Sequence, residues 1–188
     1  AKVPYEKCKI ATEPLEDYQF DPAEFEKRDR YLINEIRNGY ESVGDLYNAV
    51  RLRAAATELR RLSQLVNQYI TETAPFVLIK HDEQAAASVM ATAFEAVANL
   101  NVMWSPILPH ASEAVWGYMG FEGQLFGRQY TADVEDEHGV HQVLRYDHSP
   151  AIGKWEWIDL PAGQKMTKPG ALFQKLDPDT AEKETAQG

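Results

Sequence analysis

The chain has 188 residues, of which 44% are hydrophobic and 26% charged, the proportions of an ordinary globular protein with one domain-sized core. Its formal net charge of −10 argues against a protein that binds nucleic acid mainly through phosphates, because such proteins are usually basic. There is no long uninterrupted apolar run and no signal-peptide pattern, so we expect no membrane contact. Cys8 is the single cysteine, which permits no internal disulfide and favours a cytoplasmic location.

The first predicted element is a long amphipathic helix. Asp21 is a suitable N-cap, and Pro22 is a suitable first helical residue. Gly39 and Gly44 are expected to kink this helix or to divide it in two. Apolar residues recur at steps of three, four and seven on one face: Phe25, Leu32, Ile36, Tyr40, Val43, Tyr47 and Val50.

Three further helices are predicted, and together they make a helical bundle the expected fold. The second helix should end at Ala74, because Pro75 disfavours helical geometry in the preceding residue. The third ends before Pro106, and a short fourth helix runs from Pro109 to Gly120. The apolar stripe of the second helix is Leu52, Ala55, Leu59, Leu62, Val66 and Tyr69. That of the third is Ala86, Met90, Ala93, Val97, Leu100 and Trp104.

After Phe121 the pattern becomes that of extended chain. Residues 128–134 and 140–146 flank the acidic, glycine-ended turn "EDEHG", which predicts a β-hairpin. The segment "GKWEWIDL" alternates large apolar and polar residues and suits an extended strand laid along the bundle. The predicted organisation is an irregular lead-in (1–20), a helical bundle (21–120), a hairpin and return segment packed on the bundle (121–177), and a polar tail (178–188).

Two stretches resemble catalytic or metal-binding motifs, and both are rejected. Residues 164–170, "QKMTKPG", superficially resemble the KMSKS loop of class I aminoacyl-tRNA synthetases, but the chain lacks a HIGH-type motif and an alternating strand–helix pattern. His138, His141 and His148 lie among acidic residues without cysteine partners or a known ligand spacing. We therefore expect neither a catalytic set nor a metal site in this chain.

The stretch "NQYITETAPFVLIK", residues 67–80, places an aromatic directly after a helix-ending proline. Phe76 at this position has two interpretations. It is either a core residue that fastens the next element to the bundle, or a flat platform for an unstacked base. Stacking of this kind contributes about 1–3 kcal/mol per base. Composition alone leaves both interpretations open.

Three segments resemble one family. "NQYITETAPF" is similar to the Asn-x-Tyr…Ala-Pro-Trp segment in the anticodon-binding domain of methionyl-tRNA synthetases. "PILPHASEAVWGYMG" resembles a helix shared by several class Ia synthetases, and "LPAGQKMTKPGALFQKLD" resembles the family's closing segment. The three occur in the family's order and cover roughly residues 22–177.

The resemblance implies a helical anticodon-binding domain whose C-terminal segment folds back toward the body of the synthetase. Phe76 takes the place of a tryptophan that stacks on the anticodon's cytosine and helps to select CAU, and Pro75 sets its direction. Arg53 and Lys80 are the cations that could meet a phosphate, with a solvated charge as the alternative. The implied partners are methionine tRNA, through its anticodon loop, and the catalytic domain of the same synthetase. That domain would bind ATP and methionine, so no cofactor is expected in this chain.

Two features depart from the family pattern. The ring of Phe76 is smaller than the family's indole and has no N–H. The family's first helix, which carries an Asn and an Arg that also contact the anticodon, has no counterpart here; it lies outside this chain or has been lost. The alternative function is therefore a divergent stand-alone helical module that acts as a protein-interaction domain, which the acidic charge favours.

Overall fold

The computed structural model describes residues 22–173, so Asp21, the lead-in 1–20 and the tail 178–188 lie outside the described residues. The predicted mainly helical fold with a small hairpin is confirmed. The elements in chain order are α1 (Pro22–Asn48), α2 (Leu52–Thr73), α3 (Pro75–Leu78), α4 (Glu83–Trp104), α5 (Pro109–Tyr118), β1 (Arg128–Asp136) and β2 (Gly139–Asp147).

The core lies between α1, α2 and α4, which all pack against one another, while α3 and α5 pack against α4. The predicted stripes supply most of the buried side chains, including Leu32, Ile36, Leu59, Leu62, Val66, Ala93 and Leu100. Among the described helices, α4 alone has the length and apolar composition that a membrane span requires. Just over half of that apolar stretch is buried, where α4 packs against the four other helices, so the composition is that of a core helix.

The prediction that Gly39 or Gly44 divides the first helix in two was wrong, because α1 continues unbroken from Pro22 to Asn48. Gly39 is buried, and a Cβ built there would lie 2.6 Å from Cδ1 of Leu62. A Cβ at Gly44 would lie 3.2 Å from Nε1 of Trp155. Both glycines therefore permit close approach by another part of the chain, and neither ends the helix.

The predicted apolar stripes were also wrong at the turn between α1 and α2. Val50 is 77% exposed and adopts a left-handed φ of 56°, and Leu52 is exposed as well. The helical period stops at Asn48, so the spacing that relates Val50 to the α1 face no longer determines which way its side chain points.

The segment after the hairpin is fixed to the helices. The ring of Trp155 packs edge-on against Tyr40 and Tyr47, with centroids 5.5 and 5.8 Å apart, and its Nε1 donates to the Tyr40 carbonyl at 3.1 Å. Buried Asn99 accepts a hydrogen bond at Oδ1 from the backbone N–H of Ile158 at 2.8 Å and donates from Nδ2 to the Ile158 carbonyl at 2.9 Å. The extended segment is therefore bound to the core by both packing and hydrogen bonds.

The KMSKS-like stretch has a structural role at the end of α5. Gln164 Nε2 donates to the Met119 carbonyl at 3.0 Å, and the N–H of Thr167 donates to the Tyr118 carbonyl at 2.8 Å. Gly120 has a φ of +78°, and a Cβ there would lie 2.0 Å from the Lys165 carbonyl oxygen. The stretch thus binds the carbonyl groups that α5 leaves unpaired at its C-terminus.

Two glycines with the same φ allow this contact to be tested. Gly163 also has a φ of +78°, but no atom lies within 4 Å of a Cβ built there. We expect Gly163→Ala to lower the free energy of unfolding by about 1–2 kcal/mol, the cost of a left-handed alanine. Gly120→Ala should cost roughly 1–3 kcal/mol more, because the Cβ would overlap a backbone oxygen. Urea unfolding of both variants measures the difference, and equal midpoints would show that the docked stretch adds nothing.

Candidate nucleic-acid interface

The chain turns sharply where α2 ends. Ala74 takes a left-handed conformation, with φ 41° and ψ 55°, and its N–H donates to the Ile70 carbonyl at 3.0 Å. Pro75 then occupies the first position of α3, where its missing N–H leaves no helical hydrogen bond unmade. The predicted end of the second helix is confirmed, and its cause is the steric effect of proline on the residue before it.

The short helix α3 has a buried side and an exposed side. Pro75 and Leu78 are buried against the bundle, and Leu78 is completely buried. Phe76 is 72% exposed and Ile79 is 56% exposed. Residues three apart lie on one side of a helix, so these two apolar side chains adjoin. The interpretation of Phe76 as a core residue is therefore wrong. We call the surface formed by Phe76, Ile79 and Lys80 the corner surface.

The backbone beneath the corner surface is held at both ends. The N–H of Asp82 donates to the Leu78 carbonyl at 2.8 Å, which closes the turn after α3. Asp82 also caps α4, since its Oδ1 accepts from the N–H of Ala85 at 2.9 Å. With Leu78 anchored in the core, the direction in which Phe76 projects is set by the backbone.

Charges next to the corner are largely paired with one another. Arg28, near the start of α1, donates to Glu72 at 2.9 Å and to Glu24 at 3.3 Å. Tyr69 is buried and donates from its hydroxyl to Asp29, so it is a core residue of the bundle. Burial raises the pKa of Asp29, although the Tyr69 hydrogen bond opposes that shift. This end of the bundle therefore offers little unpaired positive charge.

The structure brings together only some of the predicted site residues. Pro75, Phe76 and Lys80 lie at one corner, and Lys80 is exposed. Arg53 lies near the opposite end of α2, about 30 Å away along the helix axis at 1.5 Å per residue. Sequence reasoning missed Ile79, although its spacing of three from Phe76 and its position after buried Leu78 could have indicated it.

The predicted absence of a metal site stays a prediction. Within residues 22–173 no group of three or more His, Cys, Asp or Glu side chains is placed to hold a metal ion. His138 lies 3.6 Å from Glu137 and His141 lies 3.7 Å from Asp136, as exposed pairs near the hairpin turn.

The fold is that of a helical domain of an aminoacyl-tRNA synthetase. It is similar to part of the apo form of Mycobacterium tuberculosis methionyl-tRNA synthetase, with a TM-score of 0.58 and 16% identity over 85% of this chain and 27% of that chain. Residues 21–143 match the family described as the anticodon binding domain of methionyl tRNA ligase. The chain belongs to this family.

Curated relatives agree with the assignment. The methionine–tRNA ligase of Chloroflexus aurantiacus is 35% identical over 167 residues, which make up 88% of this chain and 28% of the relative. That of Thermomicrobium roseum is 36% identical over 166 residues, or 87% of this chain and 28% of the relative. The chain thus spans less than a third of the length of these relatives.

Substitutions on the two sides of α3 should differ in how much stability they cost. We expect Phe76→Ala to change the free energy of unfolding by no more than about 0.5 kcal/mol, because the side chain is largely exposed. Leu78→Ala should cost about 2–5 kcal/mol, because it leaves a cavity in the core. Thermal and urea unfolding of both variants test this, and a large loss of stability in Phe76→Ala would restore the core interpretation.

Proposed function

We propose that this chain reads the anticodon of methionine tRNA, with Phe76 stacking on a base of the CAU anticodon. The observation that carries the proposal is the corner itself, where a flat aromatic ring is exposed on an anchored backbone. A base in a folded single-stranded loop can unstack from its neighbours and lie against such a ring.

The corner surface supports stacking in three ways. Pro75 and Leu78 fix α3, so the ring loses little conformational freedom when a base binds. Ile79 extends the apolar area beside the ring and can cover the ribose or the edge of the same base. Lys80 follows directly and can approach a neighbouring phosphate.

The negative charge of the chain is compatible with recognition of a base by stacking, but it disfavours general RNA binding through phosphates. A net charge of −10 repels phosphates, and stacking supplies only about 1–3 kcal/mol. Much of the attraction for tRNA would therefore come from the catalytic domain of the same ligase. That domain would bind ATP and methionine and carry out the aminoacylation, while this chain would contribute selection of the tRNA.

A titration with a methionine-tRNA anticodon stem-loop at low salt tests the proposal. We expect the CAU loop to shift amide signals of residues 67–80, and Phe76→Ala to weaken binding by roughly 5- to 150-fold, as loss of one stacked base implies. Phe76→Trp should bind equally well or more tightly, because the indole offers a larger stacking face.

A stem-loop with one altered anticodon base is the matched RNA control and should bind as weakly as the alanine variant. Equal shifts for both loops would show that the corner does not read the anticodon. Unchanged affinity in Phe76→Ala, with the fold intact, would exclude the stacking role.

The positions of the two predicted cations lead to a second expectation. Lys80→Gln should reduce the slope of log affinity against log salt by about 1, as expected when one phosphate contact is lost. Arg53→Gln makes the same charge change about 30 Å away along α2 and should leave the stem-loop's slope unchanged. The reverse result would place the RNA along α2 and away from the corner.

The alternative function, a protein-interaction module, is favoured by one observation. The hairpin has a face that the rest of the described chain leaves uncovered, and this face lies on elements separate from the corner. Both functions can therefore coexist in one chain.

A further inference from the structure

The two faces of the β-hairpin differ in burial. β1 and β2 pair antiparallel, with Thr131 opposite Leu144 and Glu135 opposite Val140. Residues directly opposite each other point to the same face. One face, which we call the outer face, consists of residues 129, 131, 133 and 135 of β1 and residues 140, 142, 144 and 146 of β2. All eight are exposed, and every partly buried residue of the two strands lies on the other face.

The outer face carries a mainly apolar column on β2, in which Gln142 separates Val140 from Leu144, beside a column on β1 that holds two carboxylates. On β2, Val140 is 71% exposed and Leu144 is 67% exposed. On β1, Asp133 and Glu135 point to the same face, and neither forms an ion pair with another described residue. The two columns lie on neighbouring strands, which are about 5 Å apart. Any ligand that covers the apolar column therefore also faces the two carboxylates.

A two-stranded hairpin with an open apolar face is an unusual element on its own. Isolated pairs of strands are marginally stable in water and become stable when a further strand or a helix packs on them. The hairpin forms a sheet of two strands, and within residues 22–173 no third strand pairs with it. Within the described residues no helix packs extensively against either strand, and the outer face, with all eight residues exposed, is the more open of the two faces.

We propose that the outer face docks an amphipathic helix of a partner protein, one with an aliphatic stripe flanked by lysine or arginine. From Val140 to Leu144 the strand spans about 13 Å, the length of roughly nine helical residues. Aliphatic side chains at steps of three and four would cover Val140 and Leu144. Basic side chains on the adjacent stripe would reach Asp133 and Glu135. RNA is a poor occupant, because these carboxylates and those of Asp136 and Glu137 repel phosphates.

This surface goes beyond anticodon reading, because it involves neither α3 nor the corner surface. The outer face would bind a positively charged protein helix, whereas the corner surface is proposed to bind negatively charged RNA. The acidic hairpin repels the nucleic acid that the corner is proposed to read, so a basic protein helix and the tRNA would not compete for the same residues.

The test uses the chain with an alanine-based helical peptide that carries a leucine stripe flanked by lysines. The same peptide with glutamates in place of the lysines is its charge control. We expect only the lysine peptide to bind and to shift amide signals of residues 128–147. Leu144→Thr, which keeps a strand-forming residue, should weaken binding by about tenfold through loss of buried apolar area.

Charge variants distinguish specific docking from general attraction to an acidic protein. Asp133→Asn with Glu135→Gln should weaken peptide binding by about threefold or more, as loss of two exposed ion pairs implies. Glu41→Gln with Asp45→Asn removes the same two charges from α1 and should have no such effect. If Leu144→Thr unfolds the hairpin, this pair of variants still decides the question.

Four results would overturn the proposal. The double variant on the hairpin and the double variant on α1 could weaken peptide binding equally. The shifted amides could lie outside the hairpin, or the glutamate peptide could bind as well as the lysine peptide. A stem-loop RNA that shifts the hairpin amides would likewise reassign the outer face to nucleic acid.

Discussion

The site depends on what Pro75 does to the residue before it. A proline ring clashes with a helical conformation at the preceding position, so Ala74 leaves the helix and α2 ends. The same ring suits the first position of a new helix, and α3 begins at once. Because Leu78 is then buried against α4, the intervening Phe76 has only the solvent side available. One residue without an N–H therefore determines where α2 ends, how α3 packs and which ring faces outward.

Much of the fold could be predicted from local pattern, and the failures have a common physical cause. The stripes of α1, α2 and α4 and the hairpin turn follow from periodicity and turn residues alone. Val50 was assigned wrongly because a helical period has no meaning beyond the helix end. Leu52 is the first residue of α2, where the helix has not yet reached the core, and it is exposed. Gly39 was misread because its role depends on Leu62, which is distant in sequence. At the site, the pattern located the break at Pro75, but the exposure of Phe76 depends on packing of the bundle.

The separation of Arg53 from Phe76 shows how far a linear description of a binding site can mislead. Arg53 lies on the helix that leads to Phe76, and this connection along the chain suggested a shared role. An α-helix rises 1.5 Å per residue, so twenty residues place two side chains at opposite ends of a small domain. Ile79, by contrast, adjoins Phe76 because a spacing of three returns to the same side of a helix. Spacing measured in helical turns is thus the better guide to which residues share a site.

The hairpin is held in place although its outer face is open. Gln124, before β1, forms a parallel bridge with Ala151, after β2, and its carbonyl accepts from the N–H of Ile152 at 2.9 Å. Before the hairpin, the carboxylate of Glu113 on α5 accepts from the N–H groups of Leu125 and Phe126. After it, Trp155 and Ile158 are bound to α1 and α4. A segment fastened on both sides loses little further freedom when a partner binds, so the contacts made on the outer face would contribute to affinity with a small ordering cost.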